Sequence, residues 1–147
     1  MNRTTELKTV LFVCVHNSGR SQMAEAFFNQ LAKGRAQALS AGTDPADAVD
    51  PKVVEAMREV GIDVSGKKPK PLTMDMVKQA HVVITMGCGV EAVCPATFVE
   101  TEDWELQDPE GKPLPAVRRI RDEIRAKVFE LLRRVEHTSG SQTQEQM

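Results

Sequence analysis

Apolar and polar positions follow one another along the chain in patterns that predict strands and helices in turn. Residues 9–14 form a short apolar run with the length of a buried strand, and residues 21–33 place apolar side chains at helical spacing. The same order continues, with strands predicted at 36–41, 81–86 and 97–102 and helices at 50–60, 73–80 and 114–136. Such alternation is typical of a parallel sheet covered on both faces, so we predict an α/β fold with a single four-stranded sheet.

The end of the chain differs from the rest. Residues 138–147 are polar and have almost nothing to bury, so we expect a disordered tail and a folded domain that spans residues 1–137. The arginines of the last predicted helix alternate with acidic residues. This pattern indicates a solvated helix face rather than a nucleic-acid site.

Composition narrows the class of protein further. The 147 residues suffice for one domain with a core, and neither the net charge of −2 nor the hydrophobic content of 41% favours nucleic acid or a membrane as partner. No apolar run approaches the ~20 residues of a membrane span. Three cysteines do not resemble a secreted disulfide framework, so we expect a cytoplasmic monomer whose thiols serve catalysis, metal binding or redox exchange.

The most informative segment is the loop that follows the first predicted strand. Cys14 opens it, and Arg20 follows after five intervening residues. A turn from strand to helix directs backbone N–H groups and the positive end of the helix dipole at an anion, and the same field favours a thiolate. Arg20 can add two parallel hydrogen bonds to a tetrahedral oxyanion. We therefore predict that Cys14 is a nucleophile and that the oxyanion is bound by Val15, His16, Asn17, Ser18, Gly19, Arg20 and Ser21.

Several of these residues also have a more ordinary interpretation. Cys14 could be a buried structural cysteine, but its place at the start of an anion loop favours catalysis. Ser21 is placed to donate a hydrogen bond to the thiolate, although a serine here could equally be the N-cap of the helix. His16 could act as a base, but a thiolate stabilised by its loop needs none, so we expect His16 to pack within the loop. Gly19 allows the backbone to turn its N–H groups inward.

Asp108 is the predicted proton donor. The pair Asp108-Pro109 lies between a predicted strand and the last predicted helix, so it belongs to a loop. A carboxylic acid on such a loop can protonate an oxygen that leaves the oxyanion. An Asp-Pro pair marks many turns, and it becomes informative only together with the cysteine and arginine of the first loop.

Cys88 and Cys94 decide between types of chemistry. Cys88 follows a predicted strand that is rich in β-branched residues. Five residues separate it from Cys94, and all of them except one glutamate are small. A zinc site would need closer ligand spacing or a nearby histidine, and two unrelated thiols are a further alternative. We favour a pair of resolving thiols in a redox relay, because thiol exchange needs a partner sulfur within reach.

Taken together, these motifs resemble the thioredoxin-coupled arsenate reductases, which are built on the low-molecular-weight tyrosine phosphatase fold. The first loop alone is shared with true phosphatases, whereas its combination with two later cysteines is specific to the reductases. The resemblance extends from about residue 8 to residue 136 and rests on residues 13–25, 40–42, 85–88, 94–95, 103–104, 108–109 and 121–124.

The resemblance implies a mechanism. Cys14 attacks arsenate held by the loop and Arg20, and Asp108 protonates the departing hydroxide. Cys88 then attacks Cys14, so that arsenite leaves with two electrons, and Cys94 moves the disulfide to the pair that thioredoxin reduces. Thioredoxin is the implied electron donor, phosphate and sulfate are the implied mimics of arsenate, and no bound cofactor is implied.

Some relatives bind potassium beside the anion loop, at positions that match Asn17, Glu25 and Ser40 together with an acidic residue. Our alignment puts Lys70 at the acidic position, and an ammonium there could replace the ion. We therefore expect activity that does not depend on potassium and no metal in the site.

Three other functions remain open from the sequence. A tyrosine or small phosphoester phosphatase would use the same loop and Asp108, but such enzymes commonly carry tyrosines near the Asp-Pro pair, and this chain has none. A thiol sensor for arsenite or a metal would not need Arg20. A reductase coupled to a low-molecular-weight thiol and a glutaredoxin-like partner can dispense with one or both later cysteines.

Overall fold

The sheet has the predicted architecture. The computed structural model describes residues 8–86 and 100–145. Within these residues, one sheet has the strand order β2-β1-β3-β4, with β1 at Lys8–Cys14, β2 at Ala36–Gly42, β3 at Val82–Thr85 and β4 at Glu100–Asp103. All neighbouring strands are parallel, which confirms the predicted fold class. Residues 97–99 of the predicted fourth strand lie outside the described residues.

Helices cover both faces of the sheet. They are α1 (Arg20–Ala32), α2 (Pro51–Glu59), α3 (Met74–Gln79) and α4 (Leu114–Glu145). Side chains along a strand point alternately to the two faces, and β1 therefore contributes to two cores. Val10 and Phe12 pack with α1, α2 and α4 in the larger core, whereas Leu11 and Val13 pack with α3 in the smaller one. Because β1 is central, Cys14 at its carboxyl end lies at the middle of the sheet edge.

Local signals set the beginnings of two helices as the sequence predicts. The carboxylate of Asp50 accepts a hydrogen bond from the N–H of Lys52 at 2.9 Å, and Pro51 is the first residue of α2. Thr73 caps α3 in the same way, by accepting from the N–H of Met76 at 3.2 Å. Each cap satisfies one backbone donor that has no partner inside the helix.

The last helix is longer than the sequence predicts. α4 continues to Glu145, through most of the tail at 138–147 that we expected to be disordered. A helix that is already formed gains one backbone hydrogen bond for each residue added, and no proline follows Pro115 to end it. In the part of the chain that the structure describes, no helix has the length and apolar character needed to cross a membrane.

Candidate active site

The backbone of the loop after β1 forms a cradle of N–H groups. Four of its carbonyl oxygens accept hydrogen bonds from the chain segment that follows β2, at 2.8 to 3.1 Å; they belong to Cys14, Val15, His16 and Ser18. In a trans peptide the N–H points away from the C=O, so tying these carbonyls outward turns the next N–H groups toward the centre of the loop. Inward N–H groups are the donors that an oxyanion requires.

The sulfur of Cys14 is buried and receives donors from its own loop. The N–H of Asn17 points at the sulfur over 3.3 Å, and the hydroxyl oxygen of Ser21 lies 2.9 Å from it. Ser21 also accepts a hydrogen bond from the side-chain amide of Asn17 at 2.6 Å, so its own proton is free to point at the sulfur. The sulfur of Cys14 therefore faces two hydrogen-bond donors, the N–H of Asn17 and the hydroxyl of Ser21.

The structure distinguishes the two roles that the sequence leaves open for Ser21. The N-cap of α1 is Gly19, which has no side chain to cap the helix. Ser21 is the second residue of α1 and so lies inside the helix. Its hydroxyl is fully buried against the sulfur of Cys14. The alternative of an ordinary N-cap is therefore wrong.

Asn17 connects the loop to the rest of the site. It has a φ of 52°, a left-handed conformation that asparagine tolerates better than most residues. Its side-chain oxygen accepts hydrogen bonds from the amide of Gln22 at 3.1 Å and from the N–H of Lys70 at 2.9 Å. The side-chain oxygen of Gln22 is buried and has no hydrogen-bond partner among the described residues. Because its oxygen accepts these two hydrogen bonds, the side-chain amide of Asn17 is oriented with its NH2 group toward Ser21.

Arg20 is held in place by two carbonyl groups of neighbouring loops. Its Nη1 donates to the carbonyl oxygens of Met86 at 2.8 Å and of Leu106 at 3.2 Å. The guanidinium edge that carries Nε and Nη2 is the edge that binds two oxygens of one anion in parallel. Because backbone carbonyls anchor the opposite nitrogen, Arg20 has its binding edge oriented before any anion arrives.

Asp108, the predicted proton donor, lies beside Arg20. One carboxylate oxygen of Asp108 accepts from the N–H of Glu110 at 3.0 Å, and the other lies 3.7 Å from Nη2 of Arg20. The side chain is about half exposed, at 49% of its surface. About half of the Asp108 side chain therefore faces solvent, while one of its oxygens lies close to the oxyanion loop.

His16 lies at the rim of the loop. Its Nδ1 is 3.1 Å from the carbonyl oxygen of Asp44, and its Nε2 is 3.9 Å from a carboxylate oxygen of Glu110. Both ring nitrogens thus face neighbouring loop segments. This arrangement fits a role in packing, which we expect for His16, better than a role as a base.

A buried carboxylate next to the loop corrects one prediction. Glu25 accepts a hydrogen bond from the hydroxyl of Ser40 at 2.6 Å, and its second oxygen lies 3.7 Å from the ammonium of Lys67. The ammonium beside this carboxylate is therefore that of Lys67 and not that of Lys70, whose backbone N–H contacts Asn17 instead. The two lysines cannot be told apart from the sequence because both lie in one irregular segment between α2 and α3.

One oxygen that a potassium site here would use is already engaged. The side-chain oxygen of Asn17 already accepts two hydrogen bonds, and Glu25 is shared between Ser40 and Lys67. Because both lone pairs of the Asn17 oxygen receive N–H groups, this oxygen is not available to a cation. Within the described residues, no group of three or more histidine, cysteine, aspartate or glutamate side chains could hold a metal ion.

The structure brings most of the predicted site together. Cys14, Arg20, Asp108 and the loop from Val15 to Ser21 meet at the carboxyl end of β1. Cys88 and Cys94 lie outside the described residues, and so their predicted roles stay predictions. Sequence reasoning assigned no role to Gln22, whose only signal is a polar side chain directly after Arg20 and Ser21 in the first turn of α1.

With this geometry in view, comparisons with known proteins agree on one family. The family model of the low molecular weight phosphotyrosine protein phosphatases matches residues 9–141. An arsenate reductase of Staphylococcus aureus is 39% identical over 120 residues, which cover 80% of this chain and 91% of that protein. The chain belongs to the low molecular weight phosphotyrosine protein phosphatase family.

Two solved structures refine the comparison. An arsenate reductase in a phosphate-bound state superposes with a TM-score of 0.80 at 38% identity and covers 88% of this chain and 99% of its own. A thioredoxin-dependent arsenate reductase of Corynebacterium glutamicum gives a TM-score of 0.79 at 38% identity. It covers 91% of this chain, which spans 64% of the length of that relative. The resemblance to arsenate reductases that the motifs indicate is confirmed.

Proposed function

We propose that this chain reduces arsenate to arsenite through a relay of Cys14, Cys88 and Cys94 that thioredoxin regenerates. The observation that carries the proposal is the buried sulfur of Cys14, which faces two donors at 2.9 and 3.3 Å in a cradle of inward N–H groups. Such a site pairs a thiolate with a tetrahedral oxyanion. The arsenate reductases among the relatives of this chain support arsenate as that oxyanion.

In the first step, the thiolate of Cys14 attacks arsenic(V). A sulfur–arsenic bond forms, and one arsenic–oxygen bond breaks as Asp108 gives the leaving oxygen a proton, so that water departs. Arg20 and the loop N–H groups neutralise charge on the remaining oxygens, with the guanidinium already oriented by Met86 and Leu106.

In the second step, the thiolate of Cys88 attacks the sulfur of Cys14. The electron pair of the sulfur–arsenic bond passes to arsenic, which leaves as arsenite, and a disulfide joins Cys14 to Cys88. The position of Met86 supports the proposal of this step, because its carbonyl oxygen accepts a hydrogen bond from Arg20 and Cys88 follows only two residues later in the sequence. Cys94 then attacks Cys88 and releases the Cys14 thiolate, and the dithiol of thioredoxin reduces the disulfide that remains.

The alternative is a phosphatase that uses Cys14, Arg20 and Asp108 alone. The name of the matching family and the shared oxyanion loop favour this candidate. Two features favour the reductase instead, namely the absence of any tyrosine to hold an aromatic phosphoester and the presence of two further cysteines. Weak hydrolysis of phosphoesters would be compatible with both, since arsenate and phosphate have nearly the same shape.

The deciding experiment is arsenate-dependent oxidation of NADPH with thioredoxin and thioredoxin reductase. We expect steady turnover for the wild type and none for Cys14→Ser or Cys88→Ser. Cys94→Ser should release one arsenite per chain and then stop, because its disulfide stays between Cys14 and Cys88. Sustained turnover of Cys94→Ser with thioredoxin would contradict the relay. Replacement of thioredoxin by glutathione and glutaredoxin tests the other class of reductant.

We further propose that this activity does not require potassium. The ammonium of Lys67 stands 3.7 Å from Glu25, where it supplies the positive charge that a cation would otherwise bring. We expect the same kcat/KM for arsenate in potassium chloride and in sodium chloride of equal ionic strength. Lys67→Gln should lower kcat/KM, whereas the exposed neighbour Lys68→Gln serves as the matched control. A clear rise of wild-type activity with potassium would contradict this proposal.

The setting of the reaction follows from the same proposal. A relay of free thiols needs a reducing compartment, so we propose that the protein works in the cytoplasm. We also propose that it works as a monomer, because each protomer carries its own Cys14, Arg20 and Asp108. Sedimentation at working concentration checks the second point.

A further inference from the structure

The segment Asp108-Pro109-Glu110 contacts the oxyanion loop through three successive residues. Asp108 faces Arg20 at 3.7 Å and Glu110 faces His16 at 3.9 Å. Between them, the ring of Pro109 lies against Gly19. The two segments therefore contact each other in opposite chain directions, and the acid is held at one end of this contact.

The contact between Gly19 and Pro109 leaves no room for a side chain at residue 19. A Cβ atom built on Gly19 would stand only 2.9 Å from Cγ of Pro109 and 3.6 Å from a methyl group of Val53. Side-chain carbon atoms do not approach so closely, so any side chain at residue 19 must displace a neighbour. The ring of Pro109 is closed onto its own backbone, and thus it cannot move far without moving Asp108.

We propose that Gly19 is a positioning residue for Asp108. The missing side chain lets Pro109 seat directly on the oxyanion loop, and this seating sets the distance between the carboxyl group of Asp108 and the bound oxyanion. The exposed pair of His16 and Glu110 adds little, because surface ion pairs contribute only about 0–1 kcal/mol. This inference rests on the proposed function, in which Asp108 protonates the leaving oxygen.

The test is the rate of arsenite release in a single turnover of the reduced full-length chain, measured without thioredoxin. Asp108→Asn should lower this rate about 100-fold, as expected for the loss of a general acid. Gly19→Ala should lower it about tenfold, because misplacement of a catalytic group by about 1 Å is costly. Gly66→Ala is the matched control, since a Cβ there would meet nothing within 4 Å.

A double-mutant cycle separates positioning from general damage to the loop. In the Asp108→Asn background, Gly19→Ala should cost less than about twofold, because the group that it displaces is already inactive. Inhibition by inorganic phosphate should stay unchanged, since the N–H cradle and Arg20 remain in place. An equal cost in both backgrounds, or a loss of phosphate inhibition, would overturn the proposal.

Two further measurements keep the result interpretable. If Gly19→Ala does not fold, Pro109→Ala removes the other half of the contact and should lose its effect in the same Asp108→Asn background. A wild type that releases no arsenite would contradict the proposed function, and the cycle is then measured on hydrolysis of phenyl phosphate, whose leaving oxygen Asp108 would protonate. The absence of both reactions would overturn both proposals.

Discussion

Ser21 connects the sulfur of Cys14 to the rest of the loop through a single hydroxyl group. The amide of Asn17 donates to this hydroxyl, and Gln22 donates to the oxygen of that amide, so the donors run in one direction toward the sulfur. A chain of donors that ends on sulfur stabilises negative charge there. Asn17 and Gln22 thus orient the hydroxyl of Ser21 so that its proton points at the sulfur.

Ser21→Ala removes the last donor of this chain. Hydrogen bonds to charged groups contribute about 1.5–3 kcal/mol, so we expect alkylation of Cys14 by iodoacetamide at pH 7 to slow about tenfold or more. Arsenate reduction should slow by a similar factor. Ser65→Ala, which removes an exposed hydroxyl remote from Cys14, is the control. An unchanged rate of alkylation would mean that Ser21 does not hold the thiolate.

For single residues, the sequence predicts the chemical role better than the place of the side chain in the structure. The spacing of Cys14 and Arg20 is enough to identify an oxyanion loop, because both ends of the loop are local in the chain. Whether Ser21 caps the helix depends on where α1 begins, and a shift of one residue decides it. The sequence predicts Lys70 where the structure has Lys67 beside Glu25, because the course of an irregular segment depends on contacts with distant residues such as Asn17.

Helices α2 and α4 are joined by one carboxylate. Glu59 at the end of α2 accepts hydrogen bonds from Arg118 at 2.8 Å and from Arg121 at 2.9 Å, both on α4. Hydrogen bonds from Arg118, followed by those from Arg121, hold the pKa of Glu59 below its ordinary value of 4.5. Arg121 is buried and also donates to the carbonyl of Ala56 at 2.9 Å, which ties the helices further. Glu59, Arg118 and Arg121 thus form a clamp that joins α2 to α4.

Glu59→Gln tests the clamp through its dependence on pH. A carboxylate whose pKa is lower in the folded state stabilises the fold above its unfolded pKa, and this contribution is lost as the pH falls through the folded pKa. We therefore expect the variant to unfold at a lower temperature than the wild type at pH 7, with a difference that shrinks below pH 4.5. Glu123→Gln, an exposed change on α4, is the control. A difference that stays constant with pH would exclude the charged pair as its cause.

The elements themselves are the part of the fold that the sequence predicts best. Apolar periodicity and caps such as Asp50 and Thr73 are local signals, so the predicted bounds of β1 to β3 and of α1 to α3 lie within one residue of the observed ones. The prediction failed at the end of α4, where the polar tail offers no apolar period although its backbone can still continue the helix. Periodicity detects apolar spacing, and thus a polar segment gives no such signal for a helix.

On the scale of the whole molecule, distant segments shape the oxyanion loop. The carbonyl groups of the loop are held by N–H groups of Thr43, Asp44, Ala46 and Asp50, and Arg20 is held by the loops after β3 and β4. Gly42 adds a close approach, since a Cβ there would stand 2.5 Å from the carbonyl oxygen of Val15. None of these partners is near the loop in sequence. The site could therefore be recognised from its motif, but its preorganisation could not.

A loop that the fold holds open for an anion should in turn stabilise the fold when the anion binds. Any ligand that binds only the folded state adds stability, by about 2.7 kcal/mol at a concentration 100 times its Kd. We expect inorganic phosphate to raise the midpoint of thermal unfolding progressively, while chloride at equal ionic strength has no such effect. Cys14→Ser should keep the response, because the cradle and Arg20 bind the anion, whereas Arg20→Ala should lose most of it. If Arg20→Ala responded as strongly as the wild type, the stabilising phosphate would bind elsewhere on the molecule.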